Sequence, residues 1–143
     1  EVGGDRLLQL NENGTDGNNA WFRASCAGFT QIEPTFDATD TEVDFRHSNY
    51  QKLTLTADIT NVHFQFPAMS GGFHCILLQD GTGVSNWKTK DQAGNAGAGN
   101  SGVVLWSHGA VPTLTEAANK SDIISIIWDA DNEIAHAMIG ENF

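Results

Sequence analysis

Basic side chains are scarce in this sequence: 7 Lys and Arg stand against 18 Asp and Glu, a formal net charge of −11. A surface of that sign repels phosphate, which argues against a nucleic-acid partner and against docking on an anionic membrane. Long apolar runs are also lacking. No stretch approaches the roughly 18–20 consecutive apolar residues that span a bilayer. The opening Glu1-Val-Gly-Gly-Asp5 has neither a basic region nor an apolar run and does not read as a signal peptide. Glu1 in place of Met points to a chain processed, trimmed or cut from something longer, which leaves room for an N-terminal anchor or stalk. Cysteine is limited to Cys26 and Cys75, enough for one disulfide. A chain of this size needs no staple to hold a core, so both are expected as reduced, buried thiols. The three prolines, Pro34, Pro67 and Pro112, fall at segment ends, where a missing N–H does no harm. Asn13-Gly-Thr and Asn119-Lys-Ser match the glycosylation acceptor pattern, which matters only in a secreted eukaryotic protein.

What is present is a foldable chain: 143 residues, 40% hydrophobic, the size of one ordinary domain. Its charge is uneven. Residues 1–50 carry nine acids and three bases, 51–100 three of each, and 101–143 six acids and one base, so the near-neutral middle is the expected place for close protein contacts.

Short apolar segments separated by Gly, Asn and Asp predict β structure throughout. Lys52-Leu-Thr-Leu-Thr56 alternates, with Leu53 and Leu55 on one face. Val62-His-Phe-Gln-Phe66 repeats this with Val62, Phe64 and Phe66 inward. Phe73-His-Cys-Ile-Leu-Leu78 is apolar on both sides and reads as a central strand, as does the Ile-rich Asp122-Ile-Ile-Ser-Ile-Ile-Trp128. Glu133-Ile-Ala-His-Ala-Met-Ile139 alternates with Ile134 as its strongest inward candidate. Weaker strand signals lie at 6–10, 20–25, 42–46 and 103–106. Asp80-Gly-Thr-Gly83 and Ala130-Asp-Asn132 read as turns, 11–19 and 90–102 as loops, and Thr115-Glu-Ala-Ala-Asn119 as about one helical turn. Eight to ten short strands at this spacing indicate a single all-β domain over 1–143, an antiparallel β-sandwich of jelly-roll type.

No pattern carries catalysis. Ala68-Met-Ser-Gly-Gly72 lacks the glycine a nucleophile elbow requires two residues before its Ser. Gly94, Gly97 and Gly99 precede no Lys-Ser/Thr or helix, so they make no phosphate loop. His47, His63, His74, His108 and His136 show no metal-ligand spacing and read as surface or hydrogen-bonded residues. Asp129-Ala-Asp-Asn-Glu133 lacks the Gly and distant Glu of a calcium loop and reads as a hairpin turn. In the alternating acids Asp37, Asp40, Glu42 and Asp44, the last two would face solvent, with Val43 and Phe45 inward. The expectation is a non-enzymatic protein with no catalytic residue, no metal site and no cofactor. Among Trp21, Trp87, Trp106 and Trp128, Trp128 belongs to the core. Trp87 and Trp106 flank the Gly-rich loop and are the better surface aromatics, for subunit contact or for sugar stacking.

Residues 45–143 resemble a domain widespread in structural proteins of tailed-bacteriophage virions. The resemblance rests on Tyr50-Gln-Lys-Leu-Thr-Leu-Thr-Ala-Asp-Ile-Thr60, on Gly71-Gly-Phe-His-Cys-Ile-Leu-Leu-Gln-Asp-Gly-Thr-Gly83, on Leu105-Trp-Ser-His-Gly-Ala-Val-Pro-Thr-Leu-Thr115, on Ala118-Asn-Lys-Ser-Asp122, and on the closing Glu141-Asn-Phe143. The segment 1–44 falls outside it. The chain departs from that pattern at Ser107-His108, where Pro-Gly is common, at Ala130-Asp131, where a Gly turn is common, and in the Gly/Ala loop before Val103. The resemblance implies a β-rich particle component with no catalytic residue to carry over, located in the virion and assembled in the host bacterial cytoplasm. Its first form is a capsid decoration or cement protein, packed as a homotrimer and bound to neighbours such as the major capsid protein. Trp87, Trp106, His108 and Phe143 are then the candidate interaction surface. One alternative is the distal domain of a tail or head fibre that binds a host glycan or receptor. Another is a carbohydrate-binding module.

Overall fold

The computed structural model describes residues 28–86, 95–96 and 102–143. The signals at 6–10, 11–19 and 20–25, together with Trp21, Cys26 and Trp87, lie outside the described residues. Eight strands are found among the described ones: β1 Thr41–Asp44, β2 Tyr50–Leu55, β3 Val62–Gln65, β4 Gly71–Gln79, β5 Asn95–Ala96, β6 Gly102–Trp106, β7 Ser121–Asp129 and β8 Ile134–Gly140. A 3-10 turn, Ser107–Gly109, follows β6. The protein is all-β.

The strands form one hydrogen-bonded series in the order β1-β3-β5-β6-β8-β7-β4-β2. The expectation of antiparallel pairing throughout does not hold. β1 with β3, β2 with β4, β3 with β5 and β6 with β8 are parallel, and only β4 with β7, β5 with β6, and β7 with β8 are antiparallel. The cause lies in the connections. Parallel neighbours need a crossover, and here the crossover is itself a strand. β1 lies at one end of the series and β2 at the other, then β3 returns beside β1 and β4 beside β2.

Alternation decides which side chains fill the core. Leu53, Leu55, Val62, Phe64 and Phe66 are buried as their period-two patterns predict, and so are Val43 and Phe45 around β1. Strands distant in the series meet across this core. Phe66, just after β3, stacks on Trp128 of β7 with centroids 4.5 Å apart and planes 10° from parallel. Phe45 lies 5.2 Å from Phe73 of β4. The Trp128 indole N–H donates to the Pro67 carbonyl at 3.1 Å. The two ends of the series also touch, since the Gln51 side-chain amide on β2 donates to the carbonyl of Asp44 on β1 at 2.9 Å.

Three local expectations are corrected. On β8 the fully buried positions are Ala135 and Ala137, while Ile134 is half-buried on the opposite face. Ala135 and Ala137 stand directly beside Trp128 and Ile126 on β7, whose bulk leaves room for methyl groups only. Residues 115–119 form no helical turn. A four-residue turn closes there with the Lys120 N–H donating to the Ala117 carbonyl at 3.1 Å, and Asn119 has φ 60°. The stretch 90–102 is not loop alone, because Asn95–Ala96 pairs with β3 and β6.

The two turns do form. Asp129 ends β7 and its carboxylate accepts from the backbone N–H of Asp131 at 3.1 Å and from the Asn132 amide at 2.8 Å. Asp80 follows β4 and accepts from the N–H groups of Thr82 and Gly83 at 2.8 and 3.0 Å. The chain after Gly83 does not return as a hairpin partner of β4.

Candidate interaction surface

β4 and β7 are apolar at consecutive positions, so each offers two apolar faces. One faces the core. The other carries Ile76 and Leu78 on β4 and Ile123, Ser125 and Ile127 on β7. The register extends this outer face across β8 and β6 in rows. Leu105 stands beside His136, and His136 beside Ile127. Met138 stands beside Ser125, Ser125 beside His74, and His74 beside Tyr50. Gly140 stands beside Ile123, and Ile123 beside Ile76. Val103 and Ile134 form the end row with Asp129. Exposure here is high for apolar side chains: Val103 51%, Leu105 48%, Ile127 59% and Met138 51%.

Phe143 belongs to this face. Its backbone pairs with Ser121 in both directions, at 3.0 and 3.2 Å. A Cβ added to Gly140 would meet the Phe143 ring at 3.2 Å, so the ring lies where a side chain of residue 140 would project. The ring is 61% exposed. The tail is held by Asp122, which is buried and accepts from the Asn142 N–H at 3.0 Å and the Thr115 N–H at 2.7 Å.

The electrostatics of the face are those of a neutral surface on an acidic chain. Among the outward positions of β4, β6, β7 and β8 the one carboxylate is Asp129, at a corner. The Asn132 side chain holds its carboxyl below the usual range. His74 lies 3.2 Å from the Ser125 hydroxyl and against the Tyr50 ring. His74 is exposed and Cys75 is fully buried, as neighbours on one strand should be; burial pushes the free Cys75 thiol up to about 12.

Trp106 and His108 come together elsewhere. With Val111, Pro112, Ile139 and Glu141 they line a groove of about 380 Å³ past the end of β6. Trp106 is half-buried against the core, while His108 is exposed at φ 65°. The four predicted residues therefore separate: Trp106 and His108 share the groove, Phe143 joins the sheet face, and Trp87 lies outside the described residues. Sequence reasoning missed Leu105, Ile127 and Met138 as surface residues. The available signal was the two-sided apolarity of 122–128; the expected central position of this strand holds, with β7 between β8 and β4. β6, β7 and β8 contribute most of this face, their acids being confined to turns and strand ends, and β4 adds to it from the near-neutral 51–100.

No group of three or more His, Cys, Asp or Glu able to hold a metal ion is found among the described residues. No helix among them is long and apolar enough to cross a membrane. Comparison with protein-family profiles, with curated proteins and with solved structures finds no match for this chain.

Proposed function

We propose that this chain is a non-enzymatic structural component of a bacteriophage virion, of the capsid decoration or cement type, and that it works by packing its outer sheet face against protein. The observation that carries this reading is that face: four adjacent strands whose outward positions combine apolar side chains with a few histidines and serines and are nearly free of charge on a chain of net charge −11. The largest apolar patch on a soluble protein is often functional, and such patches mark interaction sites. The resemblance of 45–143 to tailed-phage particle proteins supplies the setting. The proposal includes a two-layer arrangement, with β1 and β3 packed over β4 and β7, supported by the Phe66–Trp128 and Phe45–Phe73 contacts. The test is quantitative mass spectrometry of purified heads and purified tails from the particle that encodes the chain. Many copies on heads are expected; presence in tails alone would overturn the decoration role.

The groove at Trp106 favours a second reading, a fibre-tip or carbohydrate-binding domain that stacks a sugar ring. An aromatic ring beside a histidine, a carboxylate and apolar walls suits a pyranose. A glycan array without signal for the purified chain would remove it.

A further inference from the structure

We infer that the partner on the outer face is a second copy of this chain, the two sheets packing face to face about a twofold axis. This rests on the reading of that face as an interface and adds what occupies it. Charge argues first. Each copy carries −11, and the acids of the described residues sit in turns, at strand ends and along 33–44. The outer face is where a like-charged chain can approach without setting carboxylate against carboxylate. A basic partner would find almost nothing there to pair with.

Area argues second. Four strands about 4.8 Å apart, along the nine residues of β7 at about 3.3 Å each, give roughly 450 Å² of flat sheet per copy. Two copies bury about 900 Å² before side-chain relief is counted, the size of a weak, concentration-dependent association rather than of a tight complex.

Self-complementarity argues third. An axis lying between the sheets and crossing the strands at Ser125 sets Ile127 of one copy over Ile123 of the other and brings Leu105 towards the end of the sheet that carries Phe143. Ser125 then faces its own equivalent. A patch that matches itself in this way closes a pair and leaves nothing to propagate.

Sedimentation equilibrium of the whole chain from about 1 to about 200 µM tests this. A dimer is expected, tightening as salt rises from about 0.05 to about 0.5 M, because salt screens the mutual repulsion and favours apolar burial. Ile127→Lys and Leu105→Lys should each weaken it at least about 100-fold with an unchanged thermal melt, since both side chains are exposed in the monomer. Val84→Lys, at an exposed apolar residue off this face, should leave it intact. A monomer at the highest concentration, a dimer indifferent to both face variants, or association that salt weakens would overturn the inference. A chain that stays monomeric yet is found at many copies on purified heads would leave the virion proposal standing.

Discussion

At Gly83 the backbone turns with φ +70°, and a Cβ there would come within 2.3 Å of the Glu116 carbonyl oxygen and 2.7 Å of the Ala118 nitrogen. Both are main-chain atoms, fixed by the hydrogen bond from the Val84 N–H to that same carbonyl at 2.8 Å. No side-chain rearrangement can relieve the overlap, and φ in this region is itself unfavourable for any residue with a Cβ. Gly83→Ala should therefore destabilise the fold by about 3 kcal/mol, combining backbone strain with overpacking. A fall in melting temperature of about 10 °C is the expected readout. Gly81, one turn earlier, has open space around it, so Gly81→Ala serves as the control and should change little. The same Asp-Gly-Thr-Gly stretch shows what can be read from residues alone. Its composition announces a turn, but the requirement at Gly83 comes from a loop more than thirty positions away, which no local pattern contains.

Strand phase was legible where large and small side chains alternate without competition. Leu53 and Leu55 on β2, Val62 and Phe64 on β3 and Phe66 just after it are the large apolar side chains of their segments and face the core. Phase failed on β8, where the space inside was already taken by Trp128 and Ile126 and the alanines turned in. Pairing was legible at the β7–β8 hairpin, whose turn residues announce it, and not elsewhere, because a period of two says which side a residue faces and not which strand lies beside it. The connections between elements hinge on Asp122, at the start of β7. Its two oxygens satisfy backbone N–H groups of Thr115 and Asn142, joining the loop before β7 to the tail after β8. Asp122→Ala leaves both donors without their partner and should cost about 3 kcal/mol, while Asp122→Asn should cost less because one acceptor survives. Urea unfolding midpoints measure the loss, and faster hydrogen exchange at the Thr115 and Asn142 amides would locate it.

On the scale of the whole molecule, several carboxyls are held below their usual range by the fold. A side-chain bond from Thr54 acts on Glu33, one from Arg46 on Asp44, one from Thr82 on Asp80 and one from Asn132 on Asp129. Groups depressed in the native state add stability above their unfolded values, 3.8 for Asp and 4.5 for Glu, and lose it as pH falls through the lower native ones. Cys75 works in the other sense. Its contribution is complete below 9.0 and is lost as pH rises towards about 12. The melting temperature should thus fall below about pH 4 and again above about pH 9. Acidification also relieves the repulsion of a −11 chain, so the clean measurement is a comparison with Asp80→Asn, whose melting curve should be flatter below pH 4. The strand order has a consequence for synthesis. Among the described residues β1 with β3 and β2 with β4 are the first pairs in chain order, and they stand at opposite ends of the series. β5, β6, β8 and β7 are the strands that join them. Until the β7–β8 hairpin emerges, the described strands of the nascent chain make two separate ribbons with open edges and no continuous backbone ladder between them. Its protection from sticking to other nascent chains therefore arrives only when β7 and β8 do.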